Sequence, residues 1–207
     1  MKVLLINGSP DSKGCTYTAL SEVAGQLEAQ GIETQFFNIG KKVIRGCTAC
    51  SSCEETGYCV FSDDGVNECI DLVSNADGVI IGSPVYYASP NGALLALLDR
   101  MFFAGGAKFA YKPAASIVSC RRGGAATAFD VLNKYFTISS MPIVSSQYWN
   151  AVHGNSPEEV KQDLEGLQTM RVLGRNMAWL LKCLDKAKET VPYPENEDER
   201  LWTNFIR

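Results

Sequence analysis

Apolar residues along the chain alternate between short continuous runs and runs at helical spacing. Lys2-Val3-Leu4-Leu5-Ile6 is rich in apolar and β-branched residues and stops at Asn7-Gly8-Ser9-Pro10, which predicts a buried strand and a tight loop. Residues 15–30 carry Leu20, Val23, Ala24 and Leu27 at helical spacing, and Gly31 stops that helix. Residues 32–39 predict a second strand. Residues 40–63 have no periodicity and read as a long loop, a feature that in compact domains usually serves function. Asp63-Asp64 predicts a cap for a helix reaching about Asn75, and residues 77–83 predict a third strand. Residues 84–90 form the next loop, followed by an apolar helix to about Phe103. A fourth strand is predicted at 114–120, then Arg121-Arg122-Gly123-Gly124 and a helix to about Tyr135. Residues 141–145 predict a fifth strand. Ser156-Pro157-Glu158-Glu159 fits a capping box with proline in the first turn, opening one long helix to about Leu184.

Strands alternating with helices imply a parallel sheet covered on both faces, and strands that are apolar throughout agree with that burial. The expected fold is α/β: a flavodoxin-like, doubly wound, five-stranded parallel sheet in the order 2-1-3-4-5. One domain over 1–190 with a tail at 191–207 suits a chain of 207 residues. The tail is acidic from Pro192 and then apolar at Leu201, Trp202, Phe205 and Ile206, so it is expected to dock on its own domain or a partner subunit. In such sheets ligands bind beyond the carboxyl ends of the strands, at the switch point between strands 1 and 3, which directs attention to residues 8–18 and 83–91.

Composition narrows the function. Lys plus Arg is 19 and Asp plus Glu is 23, a net charge of −4, which argues against a nucleic-acid binder. No apolar run approaches the roughly 18 residues of a membrane span. The N-terminal run is also too short for a signal-peptide core of about 7–15 residues, so a cytoplasmic protein without a membrane partner is expected.

Three segments carry candidate chemistry. The first is Gly8 to Thr18, where hydroxyls, glycines and helix-terminal amides suit a phosphate; an ordinary Ser/Gly capping turn has the same look. It is not a Walker A loop, and the chain has no Gly-x-Gly-x-x-Gly. The second is Ser83 to Asn91, whose amides and tyrosines suit a flat ligand, or else form a proline-bounded loop with half-buried rings. The third is Cys47-x2-Cys50-x2-Cys53-x5-Cys59. Its compact spacing suits an iron–sulfur cubane first. A structural zinc, a redox dithiol and unligated thiols are the other readings. Cys15, Cys69, Cys120 and Cys183 are scattered.

Asn7-Gly-Ser-Pro10, Gly82-Ser-Pro-Val-Tyr86, Leu98-Asp-Arg-Met101 and Arg121-Arg-Gly-Gly124 together resemble the NADPH-dependent FMN reductase family over about residues 1–150. The resemblance implies FMN at the switch point, with NAD(P)H as co-substrate. Ser9, Ser12, Thr16 and Thr18, in a loop that includes Gly14 and Cys15, would serve the phosphate. Pro84, Val85, Tyr86 and Tyr87 would line the isoalloxazine, while Ser119, Arg121, Gly123 and Gly124 would approach its pyrimidine edge. Asp11 and Cys15 depart from the common pattern, which often has a basic residue and Asn there. The cysteine loop, with Cys59-Val60 leading to Asp63-Asp64, is similar to that of the iron–sulfur flavoproteins within this broad family, where Cys47, Cys50, Cys53 and Cys59 would hold a [4Fe–4S] cluster beside the flavin.

The resulting expectation is an oxidoreductase that passes electrons from NAD(P)H through FMN to a small-molecule or protein acceptor, as a homodimer or homotetramer. No side chain stands out as a chemical catalyst, because the flavin does the chemistry. His153, the one histidine, reads as a structural hydrogen-bonder before a catalytic group. Arg121 and Arg122 are either a solvated pair or partners for an anion. A cluster-free flavin, quinone or nitro-compound reductase, a non-enzymatic electron carrier and a zinc-bearing module are the rivals.

Overall fold

The computed structural model describes residues 1–194 together with 201, 203 and 205. Its strands are β1 (Lys2–Asn7), β2 (Glu33–Asn38), β3 (Gly78–Tyr86), β4 (Ser89–Pro90), β5 (Ala114–Cys120) and β6 (Ala151–His153). The helices are α1 (Cys15–Ala29), α2 (Cys53–Thr56), α3 (Val66–Ser74), α4 (Gly92–Gly105), α5 (Ala125–Ile138), α6 (Pro157–Val160) and α7 (Leu164–Ala187). A 3-10 turn, Gly106–Phe109, follows α4.

The sheet runs β2-β1-β3-β5-β6 with every pair on that path parallel, which is the predicted 2-1-3-4-5 order. β1 is an interior strand, and its Val3, Leu4, Leu5 and Ile6 are apolar on both pleats and fully buried. Val3, Leu5 and Ile80 face a core formed with Leu20, Val23 and Leu27 of α1 and Met170, Leu173 and Met177 of α7. Leu4, Ile6 and Ile81 face the other core, formed with α3, α4 and α5. Register sets Asn7 beside Asn38 and Gly82, so β1 and β2 end level while β3 runs on four residues to Tyr86. Among the described residues no helix is long and apolar enough to cross a membrane.

Four expectations are corrected. The third strand runs on to Tyr86 and turns back as a hairpin through β4, where a loop over 84–90 was predicted. Residues 141–145 make only one bridge, Ala114 with Ile143, and the edge strand proper is β6. Apolarity marked Met141, Ile143 and Val144, but pairing fails after them because the polar stretch 145–150 leaves the sheet. Asn150 brings the chain back: its side chain donates to the Ser116 carbonyl and its own carbonyl accepts from the Val118 amide. The long C-terminal helix is two helices, because the Asp163 side chain accepts from the Gly166 amide and starts α7 afresh. Ser156 does cap α6 by accepting from the Glu159 amide, as expected.

Asp64 does not cap α3. The N-cap is Gly65 at φ +88°, and the Asp64 carboxylate turns to Arg100 instead. At the start of the tail, the Tyr193 ring stacks on Tyr111 with centroids 5.0 Å apart. Trp202 and Ile206 lie outside the described residues.

Gly82 sits where the sheet meets α1: a Cβ there would stand 2.8 Å from both Thr16 Cγ2 and Leu20 Cδ1. Gly82→Ala should therefore overpack the interface and lose about 1–3 kcal/mol. Urea denaturation should show a lower midpoint with an unchanged slope.

Candidate functional site

Parallel pairing brings the carboxyl ends of β1, β3 and β5 to one edge, and the loops that leave them are tied together there. The Gly8 amide donates to the Gly82 carbonyl at 2.8 Å, and Asn91 Nδ2 donates to the Gly8 carbonyl at 2.8 Å. Ser83 Oγ accepts from the Asn91 amide, and the Asn91 side chain then caps α4 by accepting from Ala93. The buried Asn7 holds the first loop from below, its Oδ1 accepting from the Ser9 amide and its Nδ2 donating to Asn38 Oδ1.

The first loop ends at an uncapped helix. Gly14 is the N-cap of α1 and supplies no side-chain acceptor. The first-turn amides of an α-helix have no acceptor within the helix, so they face an incoming anion. The hydroxyls expected beside them have other partners. Thr16 Oγ1 and Ser119 Oγ share a hydrogen bond of 2.8 Å, and both residues are buried. Thr18 donates to the Gly14 carbonyl, and Ser9 Oγ accepts from the Asp11 amide. Ser12 is exposed. The Asp11 carboxylate folds back on the loop, accepting from the Lys13 amide with its Oδ2 lying over Gly14. Cys15 approaches the Gly154 carbonyl at 3.8 Å, and burial pushes its thiol up.

The β3–β4 hairpin overhangs this edge. Its tip residues, Tyr87 and Ala88, both take left-handed φ, at 51° and 57°. Two-residue hairpins demand that conformation, and Asn-Gly is the usual solution, so Tyr-Ala holds it under strain. Pro84 and Val85 are half-buried, Tyr86 is exposed and Tyr87 is wholly so. Gly124, at φ +88°, receives the tip: a Cβ there would lie 2.7 Å from Ala88 Cα. Arg121, Arg122 and Gly123 are exposed on the same loop. His153 is exposed at the end of β6, with Nδ1 3.4 Å from Cys120 Sγ.

The cysteine loop occupies a second place, against α3 and α4. Cys47, Cys50, Cys53 and Cys59 line one hollow with Phe61, Arg100 and Phe103. All four are free thiols; among the described residues no three Cys, His, Asp or Glu gather on one point to hold a single metal ion. Between the cysteines, Ala49 and Ser51 take left-handed φ of 52° and 58°. Hydrogen bonds from the Ser52 side chain and backbone draw the Cys50 thiol below its ordinary value, whereas burial pushes Cys53 up. The Asn67 side chain pairs with both the amide and the carbonyl of Cys59 at 2.8 Å. Arg100 lies nine residues beyond the cap of α4, about 14 Å of helix rise from the strand-end edge. The hollow is therefore set apart from that edge along α4.

Sequence reasoning missed the loop-holding roles of Asn7, Asn91, Asn67, Asp64 and Arg100. Arg100 did leave a signal, as a charge among the apolar residues Leu97, Leu98 and Met101. Arg100 and Asp64 form a buried ion pair. Burial alone would raise the Asp64 carboxyl, but the guanidinium outweighs it and holds the carboxyl below the usual carboxylate range.

A model of the family described as NADPH-dependent FMN reductase matches residues 1–156. An iron-sulfur flavoprotein of Methanocaldococcus jannaschii is 32% identical over 194 residues, covering 90% of this chain and all of that protein. Among solved structures, RosB with a bound 8-demethyl-8-formylriboflavin-5'-phosphate superposes with a TM-score of 0.71 at 16% identity, over 100% of this chain and 94% of that one. A flavodoxin, WrbA-like protein from Agrobacterium tumefaciens gives 0.61 at 17% identity, over 88% and 97%. The fold is flavodoxin-like.

The Asp64–Arg100 pair makes stability depend on acid. Asp64 binds its proton less readily folded than unfolded, so its contribution is complete above the ordinary value of 3.8 and is lost as pH falls below it. Asp64→Asn leaves a buried guanidinium unpaired and should cost about 3–5 kcal/mol at neutral pH. Denaturation midpoints from pH 7 to pH 2 should fall less steeply for the variant than for the parent chain.

Proposed function

The chain belongs to the NADPH-dependent FMN reductase family, and on that premise we propose that it holds FMN across the strand-end edge and a [4Fe–4S] cluster in the cysteine loop. It is an NAD(P)H-dependent FMN oxidoreductase. Bound FMN would supply exchange between a two-electron hydride donor and one-electron carriers, and an iron–sulfur cluster would supply one-electron transfer.

The protein's own part is binding and orientation. The α1 amides and Ser12 hold the phosphate, with the helix dipole in support. The Thr16–Ser119 hydrogen bond fixes α1 against β5, so the phosphate site and the ring site keep their spacing. Pro84, Val85, Tyr86 and Tyr87 flank the ring and shield it from water. Gly123 and Gly124 let the backbone approach its pyrimidine edge, and Arg121 and Arg122 supply positive charge beside it. The observation that carries this reading is the closure of three strand-end loops next to an uncapped helix, the first two by hydrogen bonds and the third by packing of Gly124 on Ala88.

For the cluster, Cys47, Cys50, Cys53 and Cys59 are the ligands. Four thiols spread round one hollow suit a cube in which each iron takes its own thiolate. The acceptor would be a small molecule or a protein, the compartment the cytoplasm and the assembly a homodimer or homotetramer.

Protein purified without oxygen should carry flavin, about four iron per chain and NAD(P)H-oxidising activity. Flavin and activity without iron would leave a cluster-free reductase, and flavin without NAD(P)H oxidation an electron carrier. Gly124→Val should push the hairpin tip away and weaken FMN binding at least about tenfold, or ~1.4 kcal/mol. Flavin fluorescence titration checks this, and unchanged affinity would remove residue 124 from the site.

A further inference from the structure

Arg100 is 2% exposed and sits on the core side of α4, where an unpaired charge would be prohibitive. A guanidinium has five N–H donors in a fixed planar fork. The structure uses it fully. Nε donates to Cys59 Sγ at 3.1 Å; Nη1 donates to the Arg45 carbonyl at 3.1 Å and to Asp64 Oδ2. Nη2 donates to the Phe61 carbonyl at 3.0 Å and to Asp64 Oδ1 at 3.2 Å. All the acceptors lie between residues 45 and 64, on the segment that carries the four cysteines. The guanidinium carbons of Arg100 and Arg45 lie over the Phe61 ring, 5.6 Å and 4.5 Å from its centroid.

We propose that Arg100 is the positioning residue of the cysteine loop, a clasp that draws both ends of the loop onto α4 and faces its four thiols into one hollow before any iron arrives. The inference rests on the cluster reading for its purpose, though not for its geometry. Left-handed residues at 49 and 51 are strained and persist only where surrounding contacts over-determine them. Arg100 bonds residues 45, 59, 61 and 64, on either side of them, and Asn67 pins Cys59. A loop held this way meets incoming iron with its ordering already done, as preorganisation requires. Lysine cannot take the same place, because it keeps the charge and loses the fork.

The test is hydrogen exchange on the full chain, as purified and after iron removal by a chelator. In Arg100→Lys, amides of 45–61 should exchange at least tenfold faster after iron removal, with β1 and β3 unchanged, and iron uptake should fall at least threefold. If Lys at 100 unfolds the chain, the double variant Arg100→Gln with Asp64→Asn removes both buried charges and is read in the same way. Faster exchange confined to 45–61 in either variant supports the clasp. Exchange and iron uptake equal to the parent chain would overturn it, as would global unfolding of both variants, which would make Arg100 a core residue only. If the parent chain takes up no iron while the variants still loosen the loop, the clasp stands and the cluster reading falls.

Discussion

The parallel pairing of β1, β3 and β5 is the constraint from which the strand-end site follows. Parallel strands need crossovers, so all three chains leave the sheet on the same side. Register sets the end of β1 at Asn7 beside Gly82, where β3 runs on towards its hairpin. The loops can then bond to each other: Gly8 reaches Gly82, Asn91 reaches Gly8, and Thr16 reaches Ser119 across the edge. Small residues matter because backbone meets backbone or helix there. A Cβ on Gly8 would lie 2.7 Å from the Gly82 carbonyl oxygen. The uncapped start of α1 and the strained hairpin tip are held open at a place the sheet has already fixed.

The cysteine loop is held by a different principle. It has few apolar anchors of its own, so polar bonds carry it: the Asn67 amide on Cys59 and the Arg100 fork on residues 45 to 64. A buried ion pair is a poor source of net stability, but this one spends every guanidinium donor on a single segment. The two places share α4, capped by Asn91 at the strand-end edge and bearing Arg100 at the hollow. That helix is the mechanical link between them.

The sheet order was legible because the central strands are apolar on both faces, a signal strong enough to read without partners. The first loop and the cysteine cluster were legible as local motifs. The fifth strand was not, because edge pairing depends on where Asn150 rejoins Ser116 and Val118, which the apolar run at 141–144 does not encode. Asp64 read locally as a helix cap, yet its partner is 36 positions away. The hydroxyls of Thr16 and Ser119 read as ligand groups in isolation, and only the fold turns them on each other. Long-range side-chain pairing is thus the information that a pass along the chain does not carry.

The central claim is that the flavin belongs to the strand-end edge and not to the cysteine hollow. Backbone amide chemical shifts, followed while FMN is added to the flavin-free protein, test it directly. The account predicts shifts concentrated at residues 9–18, 84–91 and 119–124, with the amides of 47–59 nearly unmoved. The largest shifts at 47–59, or shifts scattered over α7 and β2, would contradict it.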